Sequence, residues 1–293
     1  MPGLKDVKDK IDGVAKTSQI TKAMNMVASA KLRGAQERME AFRPYSEKFA
    51  EAMKDLSGGM SGNLPLMEVR DAKAVEIVVV TSDRGLCGSF NANVNKLALK
   101  LMAKYEGEGK TVSFITVGNK AAQGLKRTGK IRKSFKDIMG TFQMFNAREI
   151  SQDITHNFLS GGSDQVDLIY AKFVSIAKQT PVAEELLPIK PVEVDEAEAK
   201  TAKEGVTGAY IYEPEPAEIM EVLLPLYLNV QVFHGMIEVG AGEHAARMTA
   251  MDNATNACGD IIKELTQLYN KARQSAITGE LMDIVGGAEA LKG

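Results

Sequence analysis

Counted from Leu4, one repeat constrains this chain more than any other feature: a single stripe of residues recurs at alternating steps of three and four. The stripe runs Leu4, Val7, Ile11, Val14, Ser18, Thr21, Asn25, Ala28, Leu32, Ala35, Met39, Phe42, Ser46, Phe49, Met53 and Leu56, and twelve of these sixteen positions are apolar. A period of about 3.5 residues held this long specifies a left-handed coiled coil, because it keeps one seam turned toward a partner helix. At about 1.5 Å per residue the helix is roughly 80 Å long, more than a compact domain of this size can hide. Pro44 is expected to bend it, since proline removes a hydrogen bond and clashes with the preceding turn. The stretch Ser57-Gly58-Gly59-Met60-Ser61-Gly62 is expected to end it.

The other end of the chain mirrors this from about Pro216 to Ala290. Its expected seam is apolar early, at Ile219, Val222, Leu223, Leu226, Val230 and Phe233, and late, at Ile261, Leu265, Leu268, Ala272, Met282 and Val285. Between them lie Ala241, Gly242, Ala245, Ala246, Ala250, Ala254, Ala257 and Gly259, small residues that suit a thin, tightly wound helix pair. Pro225 is expected to kink this helix or mark a fresh start. Two separate amphipathic helices lying on a globular core are the plainer alternative, but the long grid lacks the wide apolar face of such helices.

The middle of the chain, about 70 to 212, changes period. Val75 to Thr81 is short and β-branched, as a buried strand requires. Helices are expected at Asn91–Tyr105, Lys120–Arg127 and Asn146–Leu159, and further strands at Thr111–Val117, Val166–Val174 and Ala183–Lys190, the last two joined around Gln179-Thr180-Pro181. This alternation describes an α/β domain with a largely parallel sheet. The acidic, Ala-rich segment 192–205 has no periodicity and reads as an exposed, mobile connector.

Composition narrows the function. The chain of 293 residues has 36 Lys and Arg against 38 Asp and Glu, a balance that argues against general binding to nucleic acid or anionic membranes. No uninterrupted apolar run reaches the roughly 18 residues of a membrane-spanning helix, and the charged N-terminus lacks a signal peptide's apolar core. Two cysteines, Cys87 and Cys258, make no disulfide framework, which suits a reducing compartment. The turn Ser82-Asp83-Arg84-Gly85-Leu86-Cys87-Gly88-Ser89-Phe90-Asn91 joins a strand to a helix, as phosphate-binding turns do, yet it has only two of the three glycines a dinucleotide fingerprint needs. Gly109-Lys110-Thr111 looks like the end of a P-loop but precedes a strand instead of following one. Cys87 beside Arg84 reads either as a low-pKa nucleophile or as a buried structural thiol, with no histidine near it in sequence. His234 and His244 lie nearly three helical turns apart, too far to share a metal. No catalytic constellation emerges.

Five separated stretches resemble the gamma subunit of F-type ATP synthases. They are Thr17-Ser18-Gln19-Ile20-Thr21-Lys22-Ala23-Met24-Asn25-Met26-Val27-Ala28-Ser29-Ala30-Lys31, then Arg43-Pro44-Tyr45 and Ser82-Asp83-Arg84-Gly85-Leu86-Cys87-Gly88, and near the C-terminus Glu243 to Ala254 with Tyr269 to Leu281. The resemblance implies an antiparallel coiled coil of the N- and C-terminal helices, residues 1–60 and 213–293, with a Rossmann-like α/β domain over 70–212. It implies a bacterial, non-catalytic central-stalk rotor that carries torque between the membrane ring of c subunits and a hexamer of three alpha and three beta subunits, beside an epsilon subunit. No cofactor, metal or nucleic acid is implied, and membrane association comes only through the complex, at the cytoplasmic face of the inner membrane.

Carried over by position, the resemblance puts Lys22, Ala23 and Met24 near the moving C-terminal domain of a beta subunit, and Arg273, Gln274 and Thr278 against the ring's catch loops. From Gly13 to Gln36 the only charges are Lys16, Lys22, Lys31 and Arg33. This is either a solvated basic face or a positive collar meeting acidic beta-subunit loops. Ser89-Phe90 departs from the glycine and leucine that many relatives carry after Gly88. Two further classes stay open on the residues: an α/β enzyme whose arms oligomerise it, and a coiled-coil tether.

Overall fold

The computed structural model describes residues 4–57, 64–190 and 215–290. The elements are α1 (Leu4–Ser57), β1 (Ala74–Val80), α2 (Phe90–Gly107), β2 (Thr111–Val117), α3 (Asn119–Leu125) with a 3-10 turn at Lys126–Thr128, β3 (Ile131–Phe135), α4 (Met144–Leu159), β4 (Gln165–Ser175), β5 (Lys178–Leu187) and α5 (Pro216–Ala290). Pro44 falls inside α1 and Pro225 inside α5, and both helices continue through them, so α5 does not begin afresh at Pro225. The connector expected at 192–205 and the glycines expected to stop α1 lie outside the described residues. The chain divides into two compact units, Met1–Ala30 with Arg247–Gly293, and Lys31–Ala246.

The heptad stripe is borne out along α1: each of its sixteen positions is buried or half-buried. In the first unit Val7, Thr21 and Ala28 are buried, and Thr21 stands opposite Thr255 while Asn25 reaches Met248. The partner's number falls as that of α1 rises, so the pair is antiparallel. The seam of α5 differs from the expected one. Its inward positions are Met251, Thr255, Cys258, Ile262, Leu265, Tyr269 and Ala272, whereas Ile261 and Leu268 are 44% and 46% exposed and Met282 and Val285 more so. One residue is a 100° turn on a helix, so these apolar side chains point away from the partner.

In the second unit a five-stranded sheet has the order β3-β2-β1-β4-β5. Four strands are parallel, and β5 returns antiparallel to β4. Asn95 of α2 donates to the Lys120 carbonyl of α3, and Tyr105 of α2 donates to Asp167 of β4, which places α2 and α3 on one face. Glu76 and Leu168 point to the opposite face, where Asn157 of α4 reaches Glu76 and Gly235 of α5 packs on Leu168 and Tyr170. The small residues of α5 here serve a different purpose from the expected one. A Cβ at Gly240 would sit 3.2 Å from Phe142, and one at Gly242 would sit 2.8 Å from Phe90. They let α5 lie close on the α/β layers. Phe90 is thereby matched to Gly242.

An 18-residue window of α5 has a mean hydropathy of 1.3, apolar enough by length and composition to cross a bilayer, and half of it is buried inside the protein. Met220, Leu224, Leu228, Val232, Met236 and Val239 of α5 belong to the core.

Two strand details correct the sequence reading. β3, Ile-Arg-Lys-Ser-Phe, was absent from it, and Gln179-Thr180-Pro181 is not a turn but part of β5, paired with Phe173, Lys172 and Ala171. Both are edge strands, where cations and a proline are tolerated. The cations of β3 are neutralised from below. Glu76 is fully buried, Arg132 donates to both Glu76 and Asp153, and Lys133 donates to Asp153 at 2.9 Å. Burial raises the Glu76 pKa despite the Arg132 hydrogen bond. Burial also works against the Asp153 charge, but Arg132 and Lys133 outweigh it and hold that carboxyl below its usual range.

Arg132→Ala leaves Glu76 charged in a dry site, and the expected cost is about 3 kcal/mol in urea unfolding at about pH 7. A buried carboxyl with a raised pKa contributes most while protonated, below its unfolded value, and loses that contribution as pH rises through the folded value. The variant's deficit should therefore shrink at about pH 5; a deficit that widens on acidification would contradict this account. Gly242→Ala should cost roughly 1–3 kcal/mol through the clash with Phe90, and Phe90→Leu in the same chain should restore part of it. An unchanged melting temperature in Gly242→Ala would show that the ring moves aside freely.

Candidate functional site: the terminal helix pair

In the first unit the antiparallel pair has a polar patch inside an otherwise apolar seam. The Thr21 and Thr255 hydroxyls lie 2.7 Å apart, Thr255 also donates to the Met251 carbonyl at 2.8 Å, and the Asn25 amide donates to the Met248 carbonyl at 2.9 Å. Polar groups at seam positions are satisfied only in one alignment, so they fix register at some cost in apolar burial. Lys22 and Ala23, next to this patch, are exposed, and Met24 is half-buried. Ile20, Met26 and Val27 beside them are 60%, 60% and 57% exposed.

Lys16 and Lys22 are exposed and make no ion pair among the described residues. In the second unit Lys31 is likewise exposed and without one, while Arg33 meets Glu37 at 3.3 Å, one residue beyond the acid-free window. Both members of that pair are largely exposed, so it contributes little.

Arg273, Gln274 and Thr278 form a separate group. Arg273 lies eighteen residues beyond Thr255 on α5, roughly 27 Å away along the helix, so the two sets of candidate residues are not brought together. All three are exposed, and the Thr278 hydroxyl donates to the Gln274 carbonyl at 2.9 Å. Ala272 is the last half-buried position. From Arg273 to Ala290 every residue whose burial is described is exposed, so this length of helix has no partner among the described residues of its own unit. It nevertheless carries Ile277, Leu281, Met282, Ile284 and Val285, each 50–68% exposed. Five large apolar side chains on one unpaired helix mark a surface made for another protein. The sequence reading had assigned Met282 and Val285 to the intramolecular seam.

The second unit has an apolar cleft of about 620 Å³ between α4 and the early part of α5, lined among others by Tyr45, Met144, Leu159, Val222 and Leu226. Val222 and Leu226 are 65% and 42% exposed, so they are wall and not seam.

The turn after β1 is filled by its own side chains. The Asp83 carboxylate accepts the N–H groups of Asn119, Asp137 and Met139, tying the loops that follow β2 and β3 to the one that follows β1. Asn91 accepts from the Ser82 N–H and donates to the Ser82 hydroxyl and the Arg84 carbonyl. Cys87 is 2% exposed beneath this net, a packed thiol. The side chains of Asp83 and Asn91 are thus spent on the chain itself. Among the described residues no three His, Cys, Asp or Glu side chains are placed to hold a metal ion.

Comparison with known proteins agrees with this arrangement of long helices and sheet. The family model described as ATP synthase matches residues 3–291. The ATP synthase gamma chain of Desulfotalea psychrophila is 62% identical over 293 residues, covering all of both chains, and that of Nitratidesulfovibrio vulgaris strain Hildenborough is 52% identical over 296, again covering all of both. Among solved structures, a chain of the Tetrahymena thermophila mitochondrial ATP synthase central stalk and c-ring is 28% identical with a TM-score of 0.60, covering 80% of this chain and 99% of that one. A chain of the Euglena gracilis mitochondrial ATP synthase, in its OSCP/F1/c-ring structure, shares the fold at a TM-score of 0.70 and 20% identity, covering 98% and 94%. With two full-length helices, a mostly parallel sheet and matches end to end, the chain belongs to the ATP synthase gamma-chain family.

Proposed function

We propose that this chain is the central-stalk rotor of a bacterial F-type ATP synthase, carrying torque between a membrane c-ring and a ring of three alpha and three beta subunits. The observation that carries the reading is the unpaired apolar stretch of α5 after Ala272. Apolar side chains held in water along a lone helix are stabilised once a sleeve of other subunits surrounds them. Arg273, Gln274 and Thr278 open that stretch and contact the sleeve. Lys22, Ala23 and Met24, on the paired part, meet the moving domain of a beta subunit. Segments 1–60 and 213–293 act as the shaft and 70–212 as the domain that takes up the epsilon subunit and c-ring. The cleft of α4 and α5 supports the view that a partner covers that domain.

Coupling needs no chemistry from this chain. Bond making belongs to nucleotide sites on the ring, and the turn after β1, one glycine short of the dinucleotide fingerprint, suits a subunit that binds no nucleotide. The chain acts at the cytoplasmic face of the membrane, held there through its complex.

Co-expression with alpha and beta subunits should yield a particle with one copy of this chain per three beta subunits that hydrolyses ATP, read by native mass spectrometry and phosphate release. A chain that stays outside the ring, or forms a symmetric homo-oligomer, would remove the rotor reading in favour of an arm-oligomerised enzyme or a tether. Neutralising Lys22, Lys31 and Arg33 together with glutamine should leave assembly intact yet lower ATP-driven ion pumping per ATP hydrolysed several-fold, on the order of what a few largely exposed charge pairs contribute. Wild-type pumping in that variant would leave these cations as a solvated face.

A further inference from the structure

The near-neutral net charge conceals a strong local asymmetry. From Arg84 to Lys136 the chain has twelve Lys and Arg but only two acids, Glu106 and Glu108. This span builds α2, β2, α3 and β3. Both helices leave the C-terminal edge of the parallel sheet and run side by side on one face. They touch where the Asn95 amide donates to the Lys120 carbonyl, and where Gly124 leaves no room for a Cβ against Asn95. Beyond that contact Lys130 pairs with Glu106, tying the turn after α3 to the end of α2.

The cations of this layer stay largely uncompensated. Lys100, Lys126 and Arg127 are exposed and make no ion pair among the described residues. Both acids of the span are already engaged, Glu106 by Lys130 and Glu108 by Lys104 and Lys110. The contrast is with Arg132 and Lys133, which Glu76 and Asp153 neutralise. Asp83 and Asp137, just outside the span, meet Asn119 at the start of α3, roughly 10 Å along the helix from Lys126; at that separation screening weakens their effect on the far end of the layer.

The patch lacks what most macromolecular partners need. On α2, β2, α3 and β3 the exposed large apolar side chain among the described residues is Leu99, at 37%, while Phe90, Tyr105, Phe114 and Phe135 are buried; Leu86, 64% exposed, lies in the turn before α2 and not on the outward face of the two helices. A stable protein interface is built around buried apolar or aromatic anchors, and single-stranded nucleic acid stacks on exposed rings. An anionic bilayer needs neither, because its charges are mobile and arrange themselves around long cationic side chains. Each Lys or Arg at such a surface raises binding roughly fivefold.

We propose that the outward face of the α2–α3 layer, centred on Lys100, Lys126 and Arg127, docks on anionic phospholipid headgroups. This adds a direct, electrostatic membrane contact to the one the complex provides. It inserts nothing into the bilayer, so it is reversible and salt-sensitive.

The test is flotation of the purified full chain with vesicles of phosphatidylglycerol and phosphatidylcholine, roughly one part to two, against vesicles of phosphatidylcholine alone. The chain should float with the anionic vesicles only and be released by about 0.5 M salt. Lys100→Glu, Lys126→Glu and Arg127→Glu combined should reduce the bound fraction at least tenfold. Lys5→Glu, Lys8→Glu and Lys10→Glu combined make the same change in net charge on α1 and should leave flotation intact. Matching circular dichroism melts for both variants guard against simple unfolding. Flotation equal on neutral vesicles, unchanged in the α2–α3 variant, or lost equally in both variants would overturn the proposal. Binding to a DNA duplex without binding to anionic vesicles would overturn it in favour of a nucleic-acid surface.

Discussion

The α/β unit depends on how closely α5 can approach the layers beneath it. Gly235 faces Leu168 and Tyr170, Gly240 faces Phe142 and Gly242 faces Phe90, each within about 3.3 Å of where a side chain would begin. With no Cβ at these points, the helix backbone comes down onto the sheet side chains, and Met236, Ile237 and Val239 between the glycines enter the core. The same descent decides what remains outside. Glu238, carried inward with them, is 6% exposed and accepts the Phe173 N–H, a rare buried acid satisfied by the strand it covers. Val222 and Leu226, on the other side of the helix, are left as the wall of a cleft.

Much of this was legible in the sequence, because periodicity and burial are two views of one constraint. The stripe from Leu4 to Leu56 could be read without error, since a seam that packs for fifty residues admits no slippage. In α5 the same logic misled at Ile261 and Leu268. Ile261-Ile262 and Leu268-Tyr269 each offer two adjacent large side chains, and only the partner decides which turns inward. The small residues near 240 were legible as a close approach but not as to whom, because a glycine says that something comes near without naming it. β3 was hidden by its charges. Only the fold shows that Arg132 and Lys133 spend them on Glu76 and Asp153, which lie 56 and 20 residues away in sequence.

The candidate contact residues stand differently. Lys22, Ala23 and Met24 could be found only by their resemblance to relatives, because nothing in the local pattern separates them from an ordinary solvated face. The exposed run after Ala272 is the reverse case. Its Met282 and Val285 were read as seam, and only the length of the partner helix shows that, among the described residues, no seam reaches them. The turn after β1 had two of the glycines of a ligand site, but its Asp83, Ser82 and Asn91 side chains bond to the chain itself.

The end of pairing at Ala272 also sets where the first unit can act as a cam. Two helices side by side have an oblong cross-section, roughly 20 by 10 Å, so turning them presents alternately a broad and a narrow side to whatever surrounds them. A lone helix is nearly round and presents the same width at every angle. Lys22 lies on the oblong part, while Arg273 and all that follows lie on the round part. On turning about its long axis the unit therefore changes its apparent width at Lys22, whereas beyond Ala272 the only asymmetry left to it is chemical, in which side chain faces outward at each angle.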